Sequence, residues 1–159
     1  YGSDSRAFRI QLYDADGRYV RTVGRHGDLP GELARPKGVA TDREGRLYSV
    51  DAAAQLVQIF DNEGRMLLYF GEPGGSDAAL VLPAKVIIDY DHVDLFRRYA
   101  APEFELEYLV LVSSQYGNRK VMVYGFGHRK SDETLPRIDP LPEKLEDEPG
   151  AKPPTGESE

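Results

Sequence analysis

Cysteine is absent from the sequence, which excludes disulfide bonds, thiolate metal sites, cysteine nucleophiles and covalently attached haem. Long apolar runs are also absent: no stretch approaches the roughly 18 apolar residues that a membrane-spanning helix needs. Basic residues are outnumbered, with 20 Lys and Arg against 27 Asp and Glu, giving a net charge of −7. Such an acidic balance disfavours nucleic acid as a partner, because Lys and Arg must neutralise its phosphates.

The sequence does contain an internal repeat with a period of about 47 residues. Residues 1–44 align with residues 48–91 without a gap, so that LYDADGRYVRTVG at 12–24 returns as IFDNEGRMLLYFG at 59–71. A unit of this size built from short strands cannot bury its apolar face alone, and it becomes stable when neighbouring units stack. The repeat therefore predicts an all-β array of propeller blades, each a sheet of four antiparallel strands labelled a to d.

Alternation of apolar and polar residues marks the strands, and three Asp-x-x-Gly-Arg turns separate pairs of them. The turns begin at Asp14, Asp42 and Asp61, where Asp can bond its own backbone and Gly supplies the positive φ that closes a hairpin. Pro36 and Pro83 stand just before strand a, where a missing N–H costs little. The predicted strands are 1–4 (b), 8–14 (c), 18–23 (d), 38–42 (a), 46–51 (b), 56–61 (c), 65–70 (d), 85–90 (a), 106–114 (b) and 120–126 (c), without a strand d in the last blade.

The last blade carries an insertion between its strands a and b. Aligning 112–125 with 48–61 leaves roughly 17 extra residues, which we assign to 92–107. Asp91 and Asp94 resemble a capping box, Val93, Phe96 and Ala100 fall on one helical face, and Pro102 ends the run. We expect a helix of two to three turns that stands out from the propeller.

The composition changes from residue 128 onward. The tail 128–159 is rich in proline and holds nine acidic against five basic residues. Such a segment cannot bury enough apolar surface to fold alone. The sequence therefore predicts a propeller region over 1–127 and an extended, acidic tail over 128–159 that lies against a partner.

The assembled pattern resembles the NHL-repeat β-propeller family over residues 1–127. The matching motifs are P-x-G at 36–38, D-x-x-G-x-L-Y-x-V-D at 42–51, V-Q-I-F-D at 57–61 and G-R-x-L-x-x-F-G at 64–71. The resemblance implies a ring of about six blades, of which this chain supplies about half. Because the chain opens partway through a repeat, we expect the other blades to precede it or to lie on another chain, with two such chains forming one ring as the second possibility. The family also implies a bacterial, extracytoplasmic setting, periplasmic or secreted, beside multihaem cytochromes.

Several acidic side chains are candidates for metal or ligand sites. The turn at Asp14 and Asp16 lacks the later ligands of a calcium loop and is interpreted as a hairpin. Asp4 and Asp51 occupy equivalent positions at the end of strand b, and the alignment places Gln115 there in the last blade. A role in capping the turn is favoured over a role in binding.

Histidine spacing gives no metal motif. His26, His92 and His128 are far apart in sequence, and none forms the short His-x-His or His-x-x-x-His spacing that presents two imidazoles to one metal. No nucleophile elbow and no phosphate-binding loop is present either. We therefore expect no enzyme activity, no cofactor and no metal; the alternative is an enzyme or ligand-binding propeller with a metal in its central channel, like amidating lyases or lactonases.

The predicted function is a non-catalytic scaffold that docks protein partners through the insertion and the tail. A multihaem cytochrome and the missing half of the propeller are the candidate partners. Tyr and Arg are favoured at interaction hot spots, and both occur in the insertion. The predicted interaction residues are Val93, Phe96, Arg97, Arg98, Tyr99, Leu135, Pro136, Ile138 and Leu141.

Overall fold

The computed structural model describes residues 1–74, 76 and 79–130, and these form ten strands and one short helical segment. The strands are β1 Gly2–Asp4, β2 Arg9–Tyr13, β3 Tyr19–Val23, β4 Pro36–Thr41, β5 Leu47–Asp51, β6 Leu56–Phe60, β7 Met66–Phe70, β8 Pro83–Asp89, β9 Phe104–Ser114 and β10 Val121–Arg129. Between β8 and β9 lie the helix α1, Val93–Phe96, and a 3-10 turn, Arg97–Tyr99. No helix in these ranges is long and apolar enough to cross a bilayer.

The strands form three antiparallel sheets in chain order. The first sheet is β1-β2-β3, the second is β4-β5-β6-β7, and the third is β10-β9-β8. This arrangement confirms the predicted all-β fold of successive blades, and every predicted strand is present. One detail was wrong: Pro36 and Pro83 do not precede their strands but open β4 and β8, and the pairing register shifts immediately after each. Such an irregularity accommodates the missing N–H.

The three predicted hairpin turns share one set of hydrogen bonds. In the turn at Asp42, the Oδ1 atom accepts bonds from the backbone N–H of Glu44 at 3.0 Å and of Arg46 at 2.9 Å. The turns at Asp14 and Asp61 repeat these contacts. The aspartate thus satisfies the turn backbone, as the sequence predicted.

The core lies between the sheets. Ile10 and Val23 of the first sheet pack on Leu47 and Phe60 of the second, and all four are buried. A larger cluster joins the second and third sheets, and its buried members are Tyr48, Val50, Val57, Ile59, Leu80, Val86, Tyr108, Val110 and Val112. Neighbouring sheets therefore bury their facing sides against each other, as the stacking of repeats requires.

The connections between sheets also repeat. After β3 the chain runs through Gly24 to Leu33, and after β7 it runs through Gly71 to Leu80. Both leucines are fully buried, and a Cβ atom on either glycine would lie within 2.4 to 2.6 Å of the leucine Cδ1 atom. Each leucine therefore occupies the space that the missing side chain leaves free.

Strands β9 and β10 are longer than their counterparts and extend past the predicted limits. The first residues of β9 fall inside the predicted insertion 92–107, and β10 continues past residue 127 to Arg129. A register shift between Phe126 and Gly127 pairs Gly127 with Leu106 and bypasses Glu107. Leu106 therefore faces the opposite side of the sheet from Tyr108, because a bulge reverses the alternation of side chains.

The sequence predicted that the insertion stands out from the propeller, and this was wrong, because the insertion packs on the third sheet. Val93 is buried against Leu106 and Leu109, and Phe96 and Ala100 pack on the same cluster. The apolar helical face was predicted correctly, but it covers the third sheet because that sheet exposes leucines toward it. The helical segment comprises residues 93–99 and is shorter than the upper end of the expectation.

Candidate protein-interaction surface

The beginning of the insertion is held by an aspartate at the end of β8. Asp89 Oδ1 accepts hydrogen bonds from the backbone N–H of Asp91 at 2.8 Å and of His92 at 3.2 Å, and its Oδ2 lies 2.7 Å from His92 Nδ1. The predicted capping box of Asp91 and Asp94 is wrong, because the helix begins after His92 without a side-chain cap. Desolvation would raise the pKa of Asp89, but the bonds from His92 and Asp91 outweigh it and lower that pKa.

The outer side of the insertion presents aliphatic, cationic and aromatic groups, which we call the insertion surface: Leu95, Arg97, Arg98 and Tyr99. Phe96, which the sequence also predicted to bind a partner, packs on the third sheet instead. Leu95 is 63% exposed and Tyr99 is 72% exposed. The guanidinium of Arg98 lies 4.8 Å from the centre of the Tyr99 ring, and its Nη2 donates to the Tyr99 hydroxyl at 2.8 Å. Arg and Tyr are thus already held together, which lowers the entropy cost of ordering them against a partner.

Arg97 is engaged differently from Arg98. Its Nε donates to Asp94 Oδ1 at 2.6 Å, and this bond raises the pKa of Arg97 above its ordinary value. Val93, the remaining predicted interaction residue in the insertion, is buried and anchors the segment instead of facing outward. The predicted residues Leu135, Pro136, Ile138 and Leu141, with the tail, lie outside the described residues.

A groove opens between the insertion and the third sheet. Its volume is about 270 Å³, and its walls include Phe96 and Tyr99 from the insertion, Leu106 and Leu109 from β9, and Val123 from β10. The groove can accept an apolar group but provides no charged group for acid–base chemistry.

A buried polar cluster that the sequence did not predict joins the second and third sheets. The hydroxyl oxygens of Tyr48 and Tyr108 lie 2.5 Å apart, and Tyr108 donates to Asp42 Oδ2 at 3.2 Å. Arg46 completes the cluster, with its Nε donating to Asp42 Oδ2 at 2.5 Å and its Nη2 donating to Tyr108 at 3.1 Å. Every member has a partner inside the cluster, which favours a structural role over a site open to a ligand.

The environment of this cluster opposes ionisation of its phenols. Burial raises the pKa of Tyr48 to about 12. Burial, together with the hydrogen bond to Tyr48, also raises the pKa of Tyr108 above its ordinary value. Burial would lower the pKa of Arg46, but the hydrogen bond to Asp42 and the nearby negative groups raise it. The cluster therefore holds neutral tyrosines beside an Asp–Arg ion pair at neutral pH.

The structure does not bring the candidate metal-ligating residues together. His26 packs on the Phe8 ring with centroids 4.1 Å apart, and His128 Nδ1 lies 2.8 Å from Glu107 Oε1. In residues 1–74, 76 and 79–130 no three His, Asp or Glu side chains are placed to share a metal.

The two strand-end aspartates are turn caps. Asp51 is fully buried and accepts bonds from the backbone N–H groups of Ala34, Arg35, Ala53 and Ala54. Asp4 accepts two such bonds, from Arg6 and Ala7. The assignment of Gln115 to this position was wrong. Ser114 takes it instead, and Ser114 Oγ accepts the bond from the N–H of Val81 at 3.3 Å.

The reason for this shift is one extra residue in the last turn. Leu56 pairs with Asp51 in the second sheet, and the backbone N–H of Ser114 bonds to Lys120 in the third. Four residues separate the first pair and five separate the second. An alignment without gaps cannot show this one-residue difference in turn length.

Comparison with known proteins gives two animal relatives, while no family model matches the chain. The protein brain tumor of Drosophila melanogaster is 30% identical over 99 residues, which are 62% of this chain and 9% of that protein. The protein lin-41 of Caenorhabditis elegans is 38% identical over 48 residues, which are 30% of this chain and 4% of that protein. The chain thus spans a small part of the relatives it matches. Both are NHL-repeat proteins, and the matches support an NHL-type β-propeller for the repeated part of this chain.

Proposed function

We propose that this propeller segment is a non-catalytic scaffold that binds a partner protein through the insertion surface. The observation that carries the proposal is the exposure of Leu95 and Tyr99 on a segment whose opposite side is anchored through Val93. A segment held in this way keeps large apolar groups in water without collapsing onto its own sheet. Exposed aromatic and Arg side chains on an ordered base are typical of interaction hot spots.

The predicted tail belongs to the same proposal as a second contact with the partner. The boundary of the two regions needs adjustment, because β10 continues to Arg129 and Lys130 N–H bonds to the carbonyl of Glu103 at 2.7 Å. We therefore infer a propeller region that includes residues 128–130. A truncation after residue 126 would remove part of β10 and would confuse loss of the tail with loss of the sheet.

The sequence also predicted a cellular setting and a partner. The family resemblance implied a bacterial envelope setting with a multihaem cytochrome, but both relatives found are animal proteins and give that setting no support. No observation in the described residues favours a channel-metal enzyme, and that alternative stays a prediction.

Affinity purification with quantitative mass spectrometry tests the insertion surface. Proteins retained by the wild-type chain should be lost with the double variant L95A/Y99A. The control Y116A changes a tyrosine that is 60% exposed in the turn between β9 and β10, away from the insertion. If the double variant retains the same proteins as the wild type, the insertion surface is not the docking site.

A truncation after Lys130 tests the tail separately. We expect it to weaken capture of the same proteins without lowering the thermal stability of the propeller region. Unchanged capture would remove the tail from the proposal while leaving the insertion surface untouched.

A further inference from the structure

A pocket of about 220 Å³ lies between the second sheet and the connection that leads into it from β3. Asp28, Leu29 and Glu32 of the connection line one side, and Tyr69 of β7 lines another. The remaining lining residues belong to the same connection, to β5, to β6 and to the turn between these strands. We call this the connection pocket. It is formed within one connection and one complete four-stranded sheet.

Two buried polar side chains of the second sheet hold the connection in place. Gln58 Oε1 accepts a hydrogen bond from the Gly31 N–H at 2.8 Å, and Gln58 Nε2 donates to the Glu32 carbonyl at 2.7 Å. Asp51 Oδ2 accepts a bond from the Ala34 N–H at 2.7 Å. The pocket is therefore preformed, which lowers the entropy cost of binding a ligand there.

The lining of the pocket is acidic. Among the described residues that line it, Asp28, Glu32 and Asp51 are acidic and none is Lys or Arg. Glu32 Oε2 accepts a bond from the Leu29 N–H at 3.1 Å, and its Oε1 accepts a bond from Arg25 Nε at 2.9 Å. These bonds lower the pKa of Glu32, so that it is ionised at neutral pH. A cationic ligand is therefore favoured over an anionic one.

Asp28 is the carboxylate of this pocket that remains available to a ligand. Its side chain is exposed, and no described residue forms a hydrogen bond or an ion pair with the carboxylate. Tyr69 is 55% exposed and Leu29 is 66% exposed in the same pocket. An aromatic ring attracts a cation, and an aliphatic side chain can pack on the methylene stem that carries it.

The repeat shows that these groups are not required by the fold of the connection. The glycine and the buried leucine of each connection are repeated. The pocket residues are not repeated: the equivalents of Asp28, Leu29, Glu32 and Tyr69 are Gly75, Ser76, Ala79 and Thr22. The corresponding pocket at the second connection has Arg119 in its wall and no carboxylate among its described residues. Acidic and aromatic groups at these positions are thus a property of one pocket and not of the repeat.

We propose that the connection pocket binds an arginine side chain of a partner protein, with the guanidinium between the Asp28 carboxylate and the Tyr69 ring. Arginine fits better than lysine, because a planar guanidinium can stack on a ring and donate two parallel hydrogen bonds to one carboxylate. This contact goes beyond the insertion surface and does not depend on it, since the insertion packs on the third sheet.

NMR of the full 159-residue chain tests the proposal with a defined probe, the capped tripeptide acetyl-Gly-Arg-Gly-amide. In proton–nitrogen correlation spectra, the amide signals of Asp28, Leu29 and Tyr69 should shift as the peptide is added. The signals of the insertion should stay in place. The corresponding Lys tripeptide should bind more weakly, and the uncharged Gln tripeptide should leave the pocket signals unchanged.

Variants of the two contacting groups identify the source of the affinity. Asp28→Asn should weaken binding of the Arg tripeptide about tenfold, because it removes the charge from the accepting group. Tyr69→Ala should weaken it by a smaller factor. Asp16→Asn is the matched control, since it removes an exposed carboxylate from a turn outside the pocket and should leave the affinity unchanged.

Three results would each overturn the proposal. The first is that the pocket signals do not respond to the Arg tripeptide, and the second is that they respond equally to the Gln tripeptide. The third is that Asp28→Asn binds as tightly as Asp16→Asn. Equal binding of the Lys and Arg tripeptides would overturn the assignment to arginine. Thermal unfolding of every variant should match that of the wild type, which excludes loss of the fold as the cause of weaker binding.

Discussion

The hydroxyl oxygens of Tyr48 and Tyr108 lie 2.5 Å apart across the boundary between the second and third sheets. The two residues are 60 positions apart in sequence, and both are buried. Because Asp42 and Arg46 both bond to Tyr108 and to each other, a change at any of the four residues is expected to affect how the two sheets are held together.

Alkaline pH should weaken the fold through Tyr48. Its pKa is raised from 10.0 to about 12, so between these values the folded protein keeps a proton that the unfolded chain has lost. The contribution of Tyr48 to the free energy of unfolding is therefore complete below pH 10, and it decreases as the pH rises toward 12. Urea titrations from pH 8 to pH 12 measure this slope.

The variant Y48F should flatten that dependence, although Tyr108 leaves a residual slope of the same sign. At neutral pH it should also lose about 1 kcal/mol, the usual net value of one hydrogen bond. Y116F, an exposed tyrosine, serves as the matched control. An identical slope in wild type and Y48F would exclude Tyr48 as its source.

Alanine at Gly38 should destabilise the protein by forcing two sheets apart. A Cβ atom there would lie 2.6 Å from Lys85 Cα and 2.7 Å from the carbonyl oxygen of Ala84, and neither backbone atom can rotate away. Overpacking of this kind costs about 1 to 3 kcal/mol. Urea unfolding at neutral pH measures the loss. Gly2→Ala, where no atom lies within 4 Å, should be close to neutral, and equal stability for both variants would contradict the close approach of β4 and β8.

Removing the carboxylate of Asp51 should be more damaging than removing that of its equivalent Asp4. Asp51→Ala leaves four backbone N–H groups without their acceptor in a buried site, at about 1 to 3 kcal/mol for each unsatisfied group that water cannot reach. Asp4→Ala affects two such groups at an exposed turn. Thermal unfolding of both variants should show the larger decrease for Asp51→Ala. The opposite order would mean that Asp51 is not the main cap of this connection.

Shortening Val93 should release the insertion without unfolding the sheets. Val93→Ala removes the buried contact with Leu106 and Leu109, while the cores between the sheets remain intact. Trypsin should then cleave after Arg97 and Arg98 faster than in the wild type, and the midpoint of thermal unfolding should change little. Leu95→Ala is the control, because Leu95 is exposed and does not anchor the segment. Equal cleavage rates in V93A and L95A would show that other contacts hold the insertion.

The sequence predicted what depends on local chemistry and period. The turn at Asp42 could be read because the aspartate bonds groups two and four residues further along the same chain. The strands that contain Ile10 and Val57 could be predicted because apolar and polar residues alternate in both segments, which are copies of one repeat.

Contacts between distant parts of the chain could not be predicted from local chemistry or from the period of the repeat. Arg46 follows the glycine of a predicted hairpin turn, yet its side chain reaches Tyr108 on another sheet. Nothing local distinguishes it from Arg65, the equivalent residue after the next turn, which stays largely exposed. For the candidate site, the apolar face of the insertion was predicted but its position on the third sheet was not, since that depends on the bulge that turns Leu106 toward it.

The paired residues Gly24 and Leu33, repeated as Gly71 and Leu80, bear on how such a chain could lengthen. Each connection between sheets contains both the glycine and the leucine that packs on it, so a duplicated repeat would bring both residues with it. The duplicated repeat could then pack on its neighbour at the correct spacing. Duplication of whole repeats would then need no compensating substitution elsewhere. A recombination event that separated a glycine from its leucine would instead leave one connection without this packing contact.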